Sequence, residues 1–121
     1  MLNLTHTILG CSFEVINELG VGFLETVYKN SLGIALKENG LRVEEERCFK
    51  IHFRGKQVGL YRADLIVNNC VIIETKCCSS LLPEHQAQLI NYLKAASMPV
   101  GLLINFGNKS LDYKRVHYPT E

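Results

Sequence analysis

Three side chains near the middle of the chain are of types that together can hydrolyse a phosphodiester: Asp64, Glu74 and Lys76. Glu74 and Lys76 lie two apart in Val71–Lys76, a short apolar, β-branched run that reads as a strand, so they share a face. Asp64 stands ten positions before Glu74, on a strand-like run from Val58 to Val67. Directly paired residues of a hairpin also share a face. Asp64 therefore opposes Glu74 only if the turn is centred on Asn69, through an odd loop such as Asn68-Asn69-Cys70 or through a bulge. A two-residue Asn68-Asn69 loop would put the acids on opposite faces.

Two carboxylates set among Ile66, Ile72 and Ile73 repel each other and are costly to desolvate. A divalent cation relieves both problems. Mg²⁺, or Mn²⁺ in its place, prefers hard oxygen ligands and keeps waters for exchange. It can activate a water and neutralise charge on a phosphate. Lys76 is then placed to orient the attacking water or to stabilise the charged transition state. The alternative for the same residues is a surface salt bridge.

Other residues qualify as contacts or supports. Glu25 and Tyr28 are three apart and fall on one helix face, although a first-turn acid is also favoured by the helix dipole alone. His85, Gln88 and Tyr92 form a polar stripe at spacings of three and four, facing either the site or solvent. Arg62 lies close in sequence to Lys50, Arg54 and Lys56, a group that reads as a local basic patch or as solvated surface charge.

The elements that must position these residues follow from periodicity and punctuation. Leu4, Ile8, Cys11, Val15 and Leu19 recur at helical spacing, and Gly20 terminates that helix. A second helix runs from about Leu24 to Asn39, with Val27, Tyr28, Leu32 and Ala35 as its apolar stripe and Gly40 as its stop. Phe49, Ile51 and Phe53 alternate with Lys50 and His52, the pattern of a half-buried strand, and Arg54-Gly55-Lys56 is a turn. Val58–Val67 follows as one long strand, then Val71–Lys76. Pro83 opens a third helix reaching about Ala96, with Leu89, Ile90 and Leu93 toward a core. Val100–Phe106 is nearly all apolar and reads as a buried central strand, with a last short strand around Lys114–His117. This order predicts an α/β fold, a mixed sheet flanked by helices.

Bulk composition narrows the function. The chain has 121 residues, 47% apolar and 21% charged, which suits one globular domain spanning 1–121. The net charge of +1 argues against coating nucleic acid through bulk charge. No apolar run suggests a membrane span, and the first ten residues lack a charged start followed by an apolar block. A cytoplasmic setting is the default expectation. Five cysteines without a Cys-x-x-Cys pair give little support to a zinc site. They read as reduced thiols, mostly buried.

Taken together, these residues resemble the GxxExxY family, a small group within the PD-(D/E)XK nuclease-like superfamily. The signature stands as Gly22, Glu25 and Tyr28. Tyr61-Arg62-Ala63-Asp64 carries the first acid, and Val71-Ile72-Ile73-Glu74-Thr75-Lys76 carries the E-x-K element. His85 to Leu93 looks like the family's glutamine-bearing helix, and Gly101 to Gly107 like its closing strand. The resemblance implies a restriction-endonuclease-like core. It implies that Asp64 and Glu74 bind metal, that Lys76 assists catalysis, that Glu25 completes the ligand set, and that Gln88 contacts or supports substrate. The chain departs from the family pattern at Ile16, where histidine is common, and at Gln86, where an acid is common.

Three functions remain open on this reading. The first is a Mg²⁺- or Mn²⁺-dependent nuclease or phosphodiesterase acting on DNA or RNA. A domain this small has little surface for sequence reading, so such an enzyme is expected to dimerise, to read shape, or to use a partner protein. The second is a binding or assembly module that keeps the fold without cutting. The third, a thiol enzyme using Cys77 or Cys78, has no identifiable activating partner.

Overall fold

The computed structural model of the chain describes residues 2–118. The first helix, α1 (Leu2–Leu19), buries Ile8, Cys11, Val15 and Ile16 on one stripe. Gly20 ends it at a φ of 72°, its N–H donating to the Ile16 carbonyl at 2.8 Å. The second helix, α2 (Glu25–Glu38), buries Tyr28, Leu32 and Leu36. Its Lys29 is nearly buried and pairs with Glu46 at 2.9 Å. Seven strands and one helix complete the order: β1 (Val43–Glu45), β2 (Cys48–Phe53), β3 (Lys56–Arg62), β4 (Leu65–Val67), β5 (Val71–Lys76), α3 (Pro83–Ala96), β6 (Val100–Asn105) and β7 (Asp112–His117).

Five strands form the main sheet in the order β1-β4-β5-β6-β7, and β2 and β3 form a separate hairpin. The β5–β6 pair is parallel and the other three pairs in the main sheet are antiparallel. A parallel pair needs a crossover, and α3 supplies it. Strand alternation then divides the core in two. Leu65, Val67, Val71 and Ile73 face α1 and α2, while Ile66 and Ile72 face α3 and the hairpin, with Leu89, Leu93 and Tyr61. β6, buried at every position, lies inside the sheet between β5 and β7, as its composition predicts. This is the expected mixed sheet flanked by helices.

The structure changes four sequence expectations. The long strand Val58–Val67 is two strands in two sheets, broken at Ala63 and Asp64. There the Ala63 N–H donates to the Arg47 carbonyl and the Glu46 N–H to the Asp64 carbonyl, so the chain steps from the hairpin into the main sheet. An unbroken run of β-formers carries no mark of that step. β1 has no apolar alternation to announce it; it forms because Val43–Glu45 pairs with the already buried β4. Of the five cysteines only Cys11 is buried, and Cys48 and Cys77 are exposed. Ile90 is 38% exposed instead of packing in the core with Leu89 and Leu93. Among the described residues no helix is long and apolar enough to cross a membrane.

Candidate active site

The geometric demand on the acid pair is met. Asn68 and Asn69 adopt φ values of 51° and 54°, a left-handed conformation that asparagine tolerates better than most residues. With Cys70 they make a three-residue loop between the paired Val67 and Val71. The ladder runs on through Ile66 opposite Ile72 and Leu65 opposite Ile73. One step further, past the end of the ladder, Asp64 comes beside Glu74, which shares a face of β5 with Ile72 and Lys76.

At this point β4 has ended, and side chains replace the backbone ladder. The Asp64 N–H donates to Glu74 Oε2 at 3.2 Å. Asp64 Oδ2 accepts from the Thr75 N–H at 2.9 Å and the Thr75 hydroxyl at 3.0 Å. The Tyr61 hydroxyl donates to Glu74 Oε2 at 2.5 Å. Tyr61 in turn stacks on Tyr92 of α3, with ring centroids 3.6 Å apart, and on Phe49 of β2 at 6.0 Å.

Glu74 is 8% exposed. Burial first, and then the charge of Asp64, push its carboxyl up to about 7. The Tyr61 hydroxyl, the Asp64 N–H and the Lys76 ammonium oppose the shift without cancelling it. Burial and the Glu74 charge likewise raise the Tyr61 phenol, which keeps its proton to donate. Tyr92 is raised by burial and then by Glu74, with a hydrogen bond from Gln88 acting the other way.

A second cluster fixes the end of β5. Buried Asn105, at the end of β6, accepts from the Cys78 and Gly107 N–H groups at 3.0 Å each and donates to the Cys78 carbonyl at 2.9 Å. The Lys76 carbonyl accepts from the Phe106 N–H at 2.8 Å. Lys76 therefore leaves a strand end held from the neighbouring strand.

The remaining candidates divide. Tyr92 stacks on Tyr61, whose hydroxyl holds Glu74, and Gln88 lies one turn before Tyr92 on α3. Glu25 does not close a three-acid set with it. Among the described residues no three Asp, Glu, His or Cys side chains converge to hold an ion. The reason lies in the layers: α2 packs on the opposite sheet face, and the Glu25 charge is felt at Cys77 just beyond β5. Tyr28 is fully buried and cannot touch substrate. Its hydroxyl donates to the Gly20 carbonyl at 2.6 Å and accepts from the Phe23 N–H at 3.2 Å, and its ring stacks on Phe106 at 5.0 Å. It pins the loop in which Gly22 adopts a φ of 109° and from which Glu25 emerges. Arg62 is exposed and lies 3.6 Å from Glu46. His85 caps α3, its Nδ1 accepting from the Leu82 N–H at 3.0 Å.

Sequence reasoning gave no role to Tyr61, Thr75 or Asn105. Each left a faint signal: an aromatic three residues before the acid, a hydroxyl between Glu74 and Lys76, and an amide closing an apolar run.

The pair suits a hard cation. Among the described residues, Asp64 Oδ1 and Glu74 Oε1 accept no hydrogen bond, which leaves two carboxylate oxygens for an ion. Glu74 also holds a proton where an ordinary carboxyl would have lost it, because it is buried and sits beside Asp64, and the Lys76 charge does not cancel these effects. An ion here would draw the rest of its shell from water or substrate, as Mg²⁺ commonly does.

Comparison with known proteins bears on the whole chain. The family described as the PD-(D/E)XK nuclease superfamily matches residues 2–116. The solved structure titled "Crystal structure of SSO0001" is similar, at 25% identity and a TM-score of 0.57, over 79% of this chain and 50% of that one. The present chain thus spans about half the length of that relative. No curated protein matches the chain significantly.

Proposed function

Because the chain belongs to the PD-(D/E)XK nuclease superfamily, we propose that it is a metal-dependent nuclease, hydrolysing phosphodiester bonds of nucleic acid at the Asp64–Glu74 pair. The observation that supports this reading is the register of β4 on β5, Leu65 opposite Ile73 and Ile66 opposite Ile72, beyond whose end the Asp64 N–H meets the Glu74 carboxylate at 3.2 Å. Asp64 and Glu74 would hold Mg²⁺ or Mn²⁺, which when bound supplies charge neutralisation and an acidified water. Lys76 would orient the attacking water and offset charge on the phosphate. Tyr61 and the Asp64 N–H fix the Glu74 carboxylate so that one of its oxygens stays free. Thr75 does the same for Asp64. Gln88, one turn before Tyr92 on α3, would support Tyr92 or contact substrate.

Calorimetric titration of Mg²⁺ and Mn²⁺ into the chain and into Asp64→Ala tests this, together with cleavage assays on single- and double-stranded substrates. Saturable binding lost in the variant, with cleavage lost alongside, is the expected result. Absence of both in the native chain would overturn the proposal. A second reading, a module that keeps the fold without cutting, is favoured by the two-acid limit of the cluster. It predicts binding of nucleic acid unaffected by Asp64→Ala and no cleavage with any divalent ion.

A further inference from the structure

A cavity of about 580 Å³ opens between β2 and α3, lined by Lys50, Ile51, His52, Asn91, Tyr92, Lys94 and Ala95. Three features distinguish it. No acid lines it, whereas the groove between α1 and α2 carries Glu14, Glu18 and Glu38. Lys50 and Lys94 are exposed, and among the described residues neither has an acidic partner within ion-pair distance. Its wall includes half-buried Tyr92, whose ring stacks on Tyr61, the residue that donates to Glu74. The cavity is thus joined to the acid pair through two aromatic rings and one hydrogen bond.

We infer that this cavity is the binding groove for a single strand of nucleic acid entering the site, with backbone phosphates on Lys50 and Lys94 and one base against Tyr92. The inference rests on the nuclease reading for its destination, though not for its chemistry. Two free ammonium groups in a wall without carboxylates attract a polyanion although the chain as a whole carries a net charge of only +1. The aromatic wall selects the single strand: a base-paired helix keeps its base faces stacked inside, whereas an unpaired base offers a face to a tyrosine ring. Asn91 and His52 add polar groups that reach sugar or base edges without demanding a sequence. DNA and RNA share this chemistry, so the groove is assigned to the unpaired strand and the assay decides the sugar.

The test measures fluorescence anisotropy of labelled oligo-deoxythymidine, oligo-uridine and a mixed-sequence duplex, with chelator present so that nothing is cut. The native chain should bind at least one single strand more tightly than duplex. Lys50→Ala combined with Lys94→Ala should weaken that binding by about tenfold and flatten its salt dependence by roughly 1.4 in log–log slope, for two lost phosphate contacts on a single strand. The chain contains no tryptophan, so Tyr92→Trp installs a single reporter whose fluorescence a stacked base should quench. Unchanged affinity and salt slope in the lysine variant would overturn the groove. So would duplex binding as tight as strand binding, or no strand binding by the native chain. Circular dichroism verifies that the variants fold. The two readings separate cleanly: the lysine variant should still bind Mg²⁺, and Asp64→Ala should still bind the strand. Loss of the groove with cation binding intact spares the acid pair. Strand binding without any cation binding spares the groove and removes the nuclease.

Discussion

Replacing Glu74 by glutamine should make the metal-free protein more stable at mildly alkaline pH, by an amount the structure sets. The Glu74 carboxyl is raised from 4.5 to about 7 on folding, by burial and then by Asp64. The folded state therefore binds this proton more tightly than the unfolded chain does. Below about 4.5 both states are protonated and no penalty exists. Between about 4.5 and 7 the unfolded chain ionises first, so stability falls as pH rises. Above about 7 both are ionised and the whole penalty stands. A shift of this size corresponds to about 3 kcal/mol. Glutamine can still accept from Tyr61 and the Asp64 N–H, yet it carries no charge to desolvate. Urea unfolding of both proteins from about pH 4 to about pH 9 isolates residue 74, since every other titratable group is common to the two. The expected result is a difference in unfolding free energy that grows by about 3 kcal/mol in favour of Glu74→Gln as pH rises through that window. Mg²⁺ at about a hundred times its dissociation constant should then restore about 2.7 kcal/mol to the native protein and little to the variant. Parallel pH profiles for the two proteins would refute the account of Glu74 as a buried carboxyl beside a second acid.

Three further outcomes follow from named contacts. Tyr61→Phe removes the hydroxyl that holds the Glu74 carboxyl down, so carbon-detected NMR should find Glu74 titrating above about 7, and a midpoint unchanged or lower would contradict the assignment. Tyr28→Phe leaves the Gly20 carbonyl and Phe23 N–H without their partner and should cost about 1–3 kcal/mol in urea unfolding, with faster amide exchange in the loop between α1 and α2. Gly107→Ala would drive a Cβ into the Cys78 carbonyl oxygen and set it 2.7 Å from the Cys78 nitrogen, contacts only a backbone shift can relieve. A drop in Tm worth about 1–3 kcal/mol is expected, with slower cleavage as Lys76 loses its fixed strand end, and an unchanged Tm would count against the Asn105 anchor.

Much of the fold was legible because its elements are locally consistent. The apolar stripe of α1, the proline that opens α3 and the unbroken apolar run of β6 each name their own structure. The acid pair was legible for a related reason: ionisable side chains within apolar strands demand a purpose, and Asn68-Asn69-Cys70 supplies the loop that brings them face to face. What stayed hidden depends on contacts distant in sequence. The step at Ala63–Asp64 is made by hydrogen bonds to Arg47 and Glu46, and nothing in the run Val58–Val67 marks it. Glu25 shares a signature with Tyr28, but which sheet face α2 covers is a tertiary fact, and it keeps Glu25 out of a three-acid cluster. His85 and Arg62 were candidates by polarity, and their contacts, the cap of α3 and an exposed ion pair with Glu46, lie outside what a sequence pattern marks.

The three-residue turn at Asn68–Cys70 also governs which changes of length this protein can accept. Adding or deleting one residue there would invert the parity of β5 relative to β4. Either the isoleucines would lose their apolar layers or the two carboxylates would end on opposite sides, and no neighbouring substitution could repair both. Changes by two residues preserve parity and leave the pairing intact. Length variation among functional relatives at this turn should therefore come in even steps, or arrive with a compensating bulge, a quantised tolerance unlike the gradual drift allowed to loops that join helices.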